Sequence, residues 1–95
     1  MSEPRLTEAH IVVRGLVQGV YFRGSLKQEA DARHVTGWVR NRADGSVEAV
    51  LQGTHDAVTA VLAWARHGPR GAEVDAVEVD WTNPDDLTAS FDVVR

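Results

Sequence analysis

Gly15-Leu16-Val17-Gln18-Gly19-Val20-Tyr21-Phe22-Arg23 is the stretch on which the reading of this chain turns. Upstream, Ala9, Ile11 and Val13 alternate with His10, Val12 and Arg14, the period-two pattern of a half-buried strand over Ala9–Arg14. Downstream, from about Arg23 to Arg33, Leu26 and Ala30 form a helical stripe with Lys27 and Glu29 facing out. The turn between them has a glycine at each end and an arginine at its exit. Glycine reaches positive φ without a Cβ clash, so successive backbone N–H groups can converge on one point. The helix that follows adds unpaired N–H groups and the positive end of its dipole there. Arg23 adds a planar, permanently charged fork. The stretch reads as a cradle for a phosphate or another compact oxyanion, although the bare pattern also fits a turn with a solvated arginine.

Two nucleotide motifs find no support. Gly19–Ser25 has the outline of a P-loop, but Arg23 stands where that motif needs lysine. There is no Gly-x-Gly-x-x-Gly, so a dinucleotide site has no support. Within the helix, Gly24 costs about 1 kcal/mol against alanine and is expected to loosen the empty cradle. Ser25 with Gln28 resembles a capping box, which would start the helix a few residues later.

Further along, Thr36–Arg42 and Ser46–Gln52 read as strands joined through Asp44-Gly45, a pair in which both residues tolerate positive φ. Val47, Ala49 and Leu51 share one face, and Ser46, Glu48 and Gln52 the other. Thr54 is a candidate N-cap for a helix carrying Val58, Val61, Leu62 and Ala65, which Gly68-Pro69 ends. Val74–Trp81 alternates again, Asn83–Asp86 is loop, and Phe91–Arg95 is a short last strand. The order strand, helix, strand, strand, helix, strand, plus a short C-terminal strand, is that of an α+β, ferredoxin-like split β-α-β sandwich. Right-handed crossover makes the first two strands parallel with the third between them, so their C-terminal ends share one edge of the sheet. That topology lets the cradle and Asn41 become neighbours.

Ninety-five residues, 43% hydrophobic and 25% charged, make one domain over 8–95, with residues 1–7 as a flexible arm. A net charge of -4 argues against nucleic acid as a partner. The absence of cysteine excludes disulfides, thiolate catalysis and thiolate metal sites. No metal and no cofactor is called for, since the four histidines are dispersed, with only His55-Asp56 suggesting a pair. The N-terminus lacks the apolar run of a signal peptide and no segment is long enough to span a bilayer, so the expectation is a cytoplasmic monomer with no membrane partner.

A second block, Gly37-Trp38-Val39-Arg40-Asn41-Arg42-Ala43-Asp44-Gly45-Ser46-Val47-Glu48, stands after the cradle. Together the two blocks closely resemble the paired signatures of the acylphosphatases, small hydrolases of carboxyl–phosphate mixed anhydrides. The resemblance continues through Leu51-Gln52-Gly53, Gly68-Pro69 and Phe91–Arg95, nearly the whole chain after Thr7. It implies an antiparallel sheet with both helices on one face, and hydrolysis of a small-molecule acyl phosphate. Backbone N–H groups of Gln18, Gly19, Val20, Tyr21, Phe22 and Arg23 would hold the phosphate. The roles that the resemblance assigns are phosphate coordination by Arg23 and orientation of the attacking water by Asn41. The expectation from the residues is that Tyr21 and Phe22 pack beneath the loop, and that Trp38, Trp64 and Trp81 lie in the core or at the rim, with Trp38 next to the second block the one to watch. Three other functions compete with this one. A non-catalytic anion-binding or regulatory module would not need Asn41 opposite Arg23. A carbamoyl-phosphate-processing domain would come with companion domains, and a single-strand nucleic-acid binder conflicts with the acidic charge.

Overall fold

Alternating apolar residues can be buried only by pairing strands and covering one face, and the pairing here decides where the cradle opens. The computed structural model describes residues 5–95; Met1–Pro4, the start of the expected arm, lie outside the described residues. The elements are β1 (Leu6–Leu16), α1 (Phe22–Ala32), β2 (Thr36–Asn41), β3 (Val47–Thr54), α2 (His55–Ala65), β4 (Glu73–Thr82) and β5 (Phe91–Val93). They form one five-stranded sheet in the order β4-β1-β3-β2-β5. This is the α+β, ferredoxin-like arrangement, with β3 between β1 and β2 as the topology requires.

Two expectations need correction. Strand β1 begins at Leu6 rather than Ala9, because Leu6 and Thr7 pair with Thr54 and Gly53. The sheet is mixed rather than antiparallel, because β5 runs parallel to β2. Thr82, near the end of β4, pairs with Glu8, at the edge where β1 and β2 both start. The chain then crosses to the free side of β2 and begins β5 from that same edge, so the two strands must run together. Three bonds hold it there: Gly37 N–H donates to the Ser90 carbonyl at 3.0 Å, Val94 N–H to the Val39 carbonyl at 2.9 Å, and the Lys27 ammonium to the Phe91 carbonyl at 2.8 Å.

One face of the sheet is the core. Ala9, Ile11, Val13, Val39, Val47, Ala49 and Leu51 are fully buried there with Leu26 and Ala30 of α1 and Val58, Val61 and Ala65 of α2. Both helices therefore cover the same face, as the period-two and period-3.6 patterns demand. Helix α2 starts where expected, with the Thr54 hydroxyl accepting from the Ala57 N–H at 3.2 Å.

On the opposite face the expected outward position of Gln52 is covered by the β4–β5 loop. Gln52 is only 4% exposed, and its amide donates to Glu8 at 2.7 Å and to the Asp86 carbonyl at 2.9 Å. Its oxygen accepts from Thr88 N–H at 2.9 Å and the Thr88 hydroxyl at 3.1 Å. Between β2 and β3, Arg42 N–H donates to Ser46 O at 2.8 Å and Gly45 N–H to Arg42 O at 3.2 Å, closing a three-residue loop. Of the Asp44-Gly45 pair only Gly45 uses positive φ (93°); Asp44 instead accepts from the Ser46 amide at 3.0 Å.

Candidate active site

Strand β1 cannot run straight into the cradle. Its register against β4 shifts between Arg14 and Gly15, a bulge that re-aims the chain just before the loop. Gly15 has φ 129°, and a Cβ there would strike the Glu73 carbonyl. Val17, 1% exposed, anchors the loop in the core. Gly19 follows at φ 78° with no atom within 4 Å of where a Cβ would stand, so the backbone angle alone demands glycine there.

Helix α1 starts at Phe22, without the later capping-box start that Ser25 and Gln28 suggest: Ser25 N–H already donates to Tyr21 O at 3.1 Å. Tyr21 fills the N-cap position in the left-handed conformation (φ 61°, ψ 33°), and no side chain caps the helix. Its first turn carries no acidic residue. Among the described residues, none of the loop and turn backbone bonds is donated by Gln18 to Arg23. Helix-end N–H groups left unpaired in this way, with the positive end of the dipole behind them, favour an anion.

Asn41 reaches the same place from the other side of β3. Val47 pairs with both Val13 and Asn41, which sets the last β1 residue paired with β3 level with the end of β2. Asn41 also has the parity of the buried Val39, so its side chain leaves the helix-covered face of the sheet. Arg23 and Asn41, both half-buried, line one cavity of about 420 Å3 together with Gln18, Gly19, Tyr21 and Phe22. Val17, Gly24 and Val93 complete its wall. That lining contains no carboxylate and no imidazole. Val20 stands outside it, half-buried against the core.

Gln18 joins the two sides. Its side-chain amide donates to the carbonyls of Arg42 at 2.8 Å and Ser46 at 3.0 Å, tying the loop to the β2–β3 connection. The charges around the site are sorted in a telling way. Arg14 pairs with Glu78 and Asp44, Arg40 with Glu48 at 2.6 Å, and Arg42 with Asp44 at 3.9 Å. Among the described residues Arg23 is in no such pair, so its guanidinium stays available to the cavity. Hydrogen bonds from the Ser46 hydroxyl and amide hold the Asp44 carboxyl down at about 2. The Glu48 carboxyl also lies below its ordinary value, first through the hydrogen bond from His10 at 2.6 Å and then through Arg40, while partial burial opposes both.

One aromatic residue, Tyr21, departs from its expected place, and one aliphatic, Val93, is not anticipated in the wall. Phe22 does pack beneath the loop, 2% exposed with its ring 5.5 Å from that of Trp64, but Tyr21 is 69% exposed on the cavity rim. A left-handed N-cap turns the Tyr21 side chain out of the core, and φ is not legible at a non-glycine residue. Trp38 lies on the opposite sheet face beneath the Arg40 guanidinium, 5.7 Å away, because it alternates with the buried Val39. Val93 enters the wall only because β5 lies against β2, a pairing no local pattern announces. The His55-Asp56 pair carries no site chemistry: the His55 ring stacks on Trp81 at 5.2 Å.

Known proteins resemble the chain in both sequence and fold. A family model described as acylphosphatase matches residues 9–93. An acylphosphatase of Pyrobaculum aerophilum is 57% identical over 77 residues, 80% of this chain and 81% of the relative. One of Chloroflexus aurantiacus is 44% identical over 89 residues, covering 94% of this chain and 97% of the relative. The solved structure of an acylphosphatase from Coxiella burnetii superposes with a TM-score of 0.91 at 34% identity, over 99% of this chain and 100% of that one.

Proposed function

Because the chain belongs to the acylphosphatase family and hydrolyses the carboxyl–phosphate bond of acyl phosphates, we propose that it does so by direct attack of a water oriented by Asn41. The phosphate is held by backbone N–H groups of the 18–23 loop and by Arg23. The observation that carries this reading is the shared cavity: an arginine outside the ion pairs and a strand-end carboxamide meet at an uncapped helix N-terminus.

An acyl phosphate is already activated, since its leaving group is a carboxylate and needs little protonation. A loose phosphoryl-transfer transition state asks the protein mainly for positioning and charge stabilisation. The loop amides and the Arg23 fork take the nonbridging oxygens and follow the charge as it redistributes. The Asn41 amide accepts from the water and aims its lone pair at phosphorus. The new O–P bond forms as the bond to the acyl oxygen breaks, and the carboxylate departs with that electron pair. A wall without carboxylate or imidazole offers no general base, so the proton of the water passes to a phosphate oxygen. Positive charge comes from the guanidinium and the helix end, and the reaction needs no metal ion. The chain acts as a monomer, guarded at the β4 edge by Asp75, Glu78 and Asp80. It works in the cytoplasm, a reducing compartment to which a cysteine-free chain is suited.

The test is hydrolysis of benzoyl phosphate in the presence of a chelator. Wild-type turnover should be unaffected by the chelator. Arg23→Gln should lose on the order of 10³-fold or more, and Asn41→Ala roughly 10²–10³-fold, with circular dichroism unchanged. Full activity in Arg23→Gln would eliminate the mechanism.

A further inference from the structure

Exposed apolar side chains at the mouth of a polar cavity call for an account, because water covers them at a cost. Tyr21 and Val93 are 69% and 42% exposed, and both line the cavity that holds Arg23 and Asn41. They come from opposite ends of the sequence, the turn before α1 and the last strand, so their convergence is a property of the fold.

Tyr21 is held in place. Its left-handed backbone (φ 61°) is costly for a bulky residue and fixes the direction in which the ring leaves the loop. The ring lies along the first turn of α1 against Gly24, where any Cβ would collide with Cζ, Cε1 and the hydroxyl oxygen. Gly24 is thus a seat for the ring, a different role from the loosening expected of it. Val93 is fixed as firmly, since the Lys27 ammonium, Ser90 and Val94 bind β5 to its neighbours.

We propose that Tyr21 and Val93 form the subsite for the acyl substituent, and that it favours aryl or other bulky apolar acyl groups over small ones. The inference rests on the functional reading above and names the part of the substrate that reading leaves open. With the phosphate at the loop amides, the acyl group has to leave the cavity past its rim. A flat ring braced on one face by Gly24 and a branched aliphatic group nearby offer it a surface to stack on.

The test compares selectivity rather than activity, so damage common to all substrates cancels. The kcat/KM ratio of benzoyl phosphate to acetyl phosphate is measured for the wild type, Tyr21→Asn and Val93→Ser; asparagine tolerates the left-handed conformation. The ratio should fall about tenfold in Tyr21→Asn and severalfold in Val93→Ser, the scale set by loss of one apolar contact surface. Ratios that match the wild type, with both substrates falling together, would overturn the subsite and leave Tyr21 only a part in loop shape. Binding of phenylphosphonate against methylphosphonate, followed by calorimetry, reads the same discrimination without turnover. A wild type that hydrolyses neither acyl phosphate yet prefers phenylphosphonate, with the preference lost in Tyr21→Asn, would sink the catalytic reading and keep the subsite. No preference between the phosphonates would overturn the subsite whatever the kinetics.

Discussion

The Gln18 side chain crosses from the anion loop to the β2–β3 connection and donates to the Arg42 carbonyl at 2.8 Å, one residue beyond Asn41. The second bond, to the Ser46 carbonyl at 3.0 Å, makes the amide a two-point brace between the groups proposed to hold phosphate and water. Both carbonyls keep other partners, Gly45 N–H and Arg42 N–H, so losing the brace costs geometry more than satisfaction. Gln18→Ala should destabilise by only about 1–2 kcal/mol yet lower kcat/KM by roughly 10–100-fold through misplacement. Gln18→Glu should be worse than Gln18→Ala in both respects, because a carboxylate would face two carbonyl oxygens. Urea titration and steady-state kinetics on the three proteins check this.

At Arg23 the shape of the charge should matter as much as its presence. Lysine supplies one ammonium where the fork supplies parallel N–H bonds. Arg23→Lys is expected to lose on the order of 10²-fold in kcat/KM with inorganic phosphate still inhibiting weakly. Asn41→Asp keeps an acceptor for the water but sets a negative charge beside the substrate dianion. It should therefore be less active than Asn41→Ala below saturation, and raising ionic strength should narrow the gap. The reverse order would argue that a carboxylate at this position can take the proton of the water, and that charge repulsion is the smaller effect.

Far from the cavity, Gln52 is the test of how the β4–β5 loop is held. Its four hydrogen bonds reach Glu8, Asp86 and Thr88 from a site only 4% exposed. Gln52→Leu should cost about 2–3 kcal/mol by leaving these groups without their partners. Amide exchange at Thr88 should rise before that of the core strands, while kcat for acyl phosphate stays close to wild type. Exchange at Thr88 that does not change would mean that the loop is held by other contacts.

Acid stability should report on Glu48 and Asp44. Folding lowers the carboxyl pKa of both, from 4.5 at Glu48 and from 3.8 to about 2 at Asp44. The unfolded chain therefore binds protons more tightly, and the stability these groups contribute is complete above about pH 5. It is lost as pH falls through the folded values toward 2. Glu48→Gln should flatten the falling limb of the urea midpoint below pH 5, leaving the part that belongs to Asp44. His10 supplies the first cause of the Glu48 shift, so His10→Ala should flatten the same limb.

Most of the fold was legible because burial here follows strict periodicity. Ala9, Ile11 and Val13, like Val47, Ala49 and Leu51, are the completely buried positions their alternation marks. Thr54 could be read as a cap because its hydroxyl acts within three residues. The two residues given catalytic roles could be placed together because the strand order brings the C-terminal ends of β1 and β2 to one edge of the sheet. What stayed hidden depends on distant chain. The direction of β5 follows from where β4 ends, and with it the place of Val93 in the wall. Tyr21 turns outward through a backbone angle that no side-chain pattern encodes, and Gly24 gains its meaning only once that ring is seen against it. The Gln18 brace has carbonyls as its targets, which every residue carries and no composition reveals.

Strand β3 is the sole shared neighbour of β1 and β2, so the cavity has no floor plan until that strand is inserted between them. Its pairings with β1 join Leu6 to Thr54 and Val13 to Val47, contacts that close the longest loops in this half of the chain. Long-range closures of this kind set the pace of folding in small domains. Hydrolysis can therefore recover after dilution from denaturant only once β3 has been inserted, and any chain released before that event is inert however much helix it already contains.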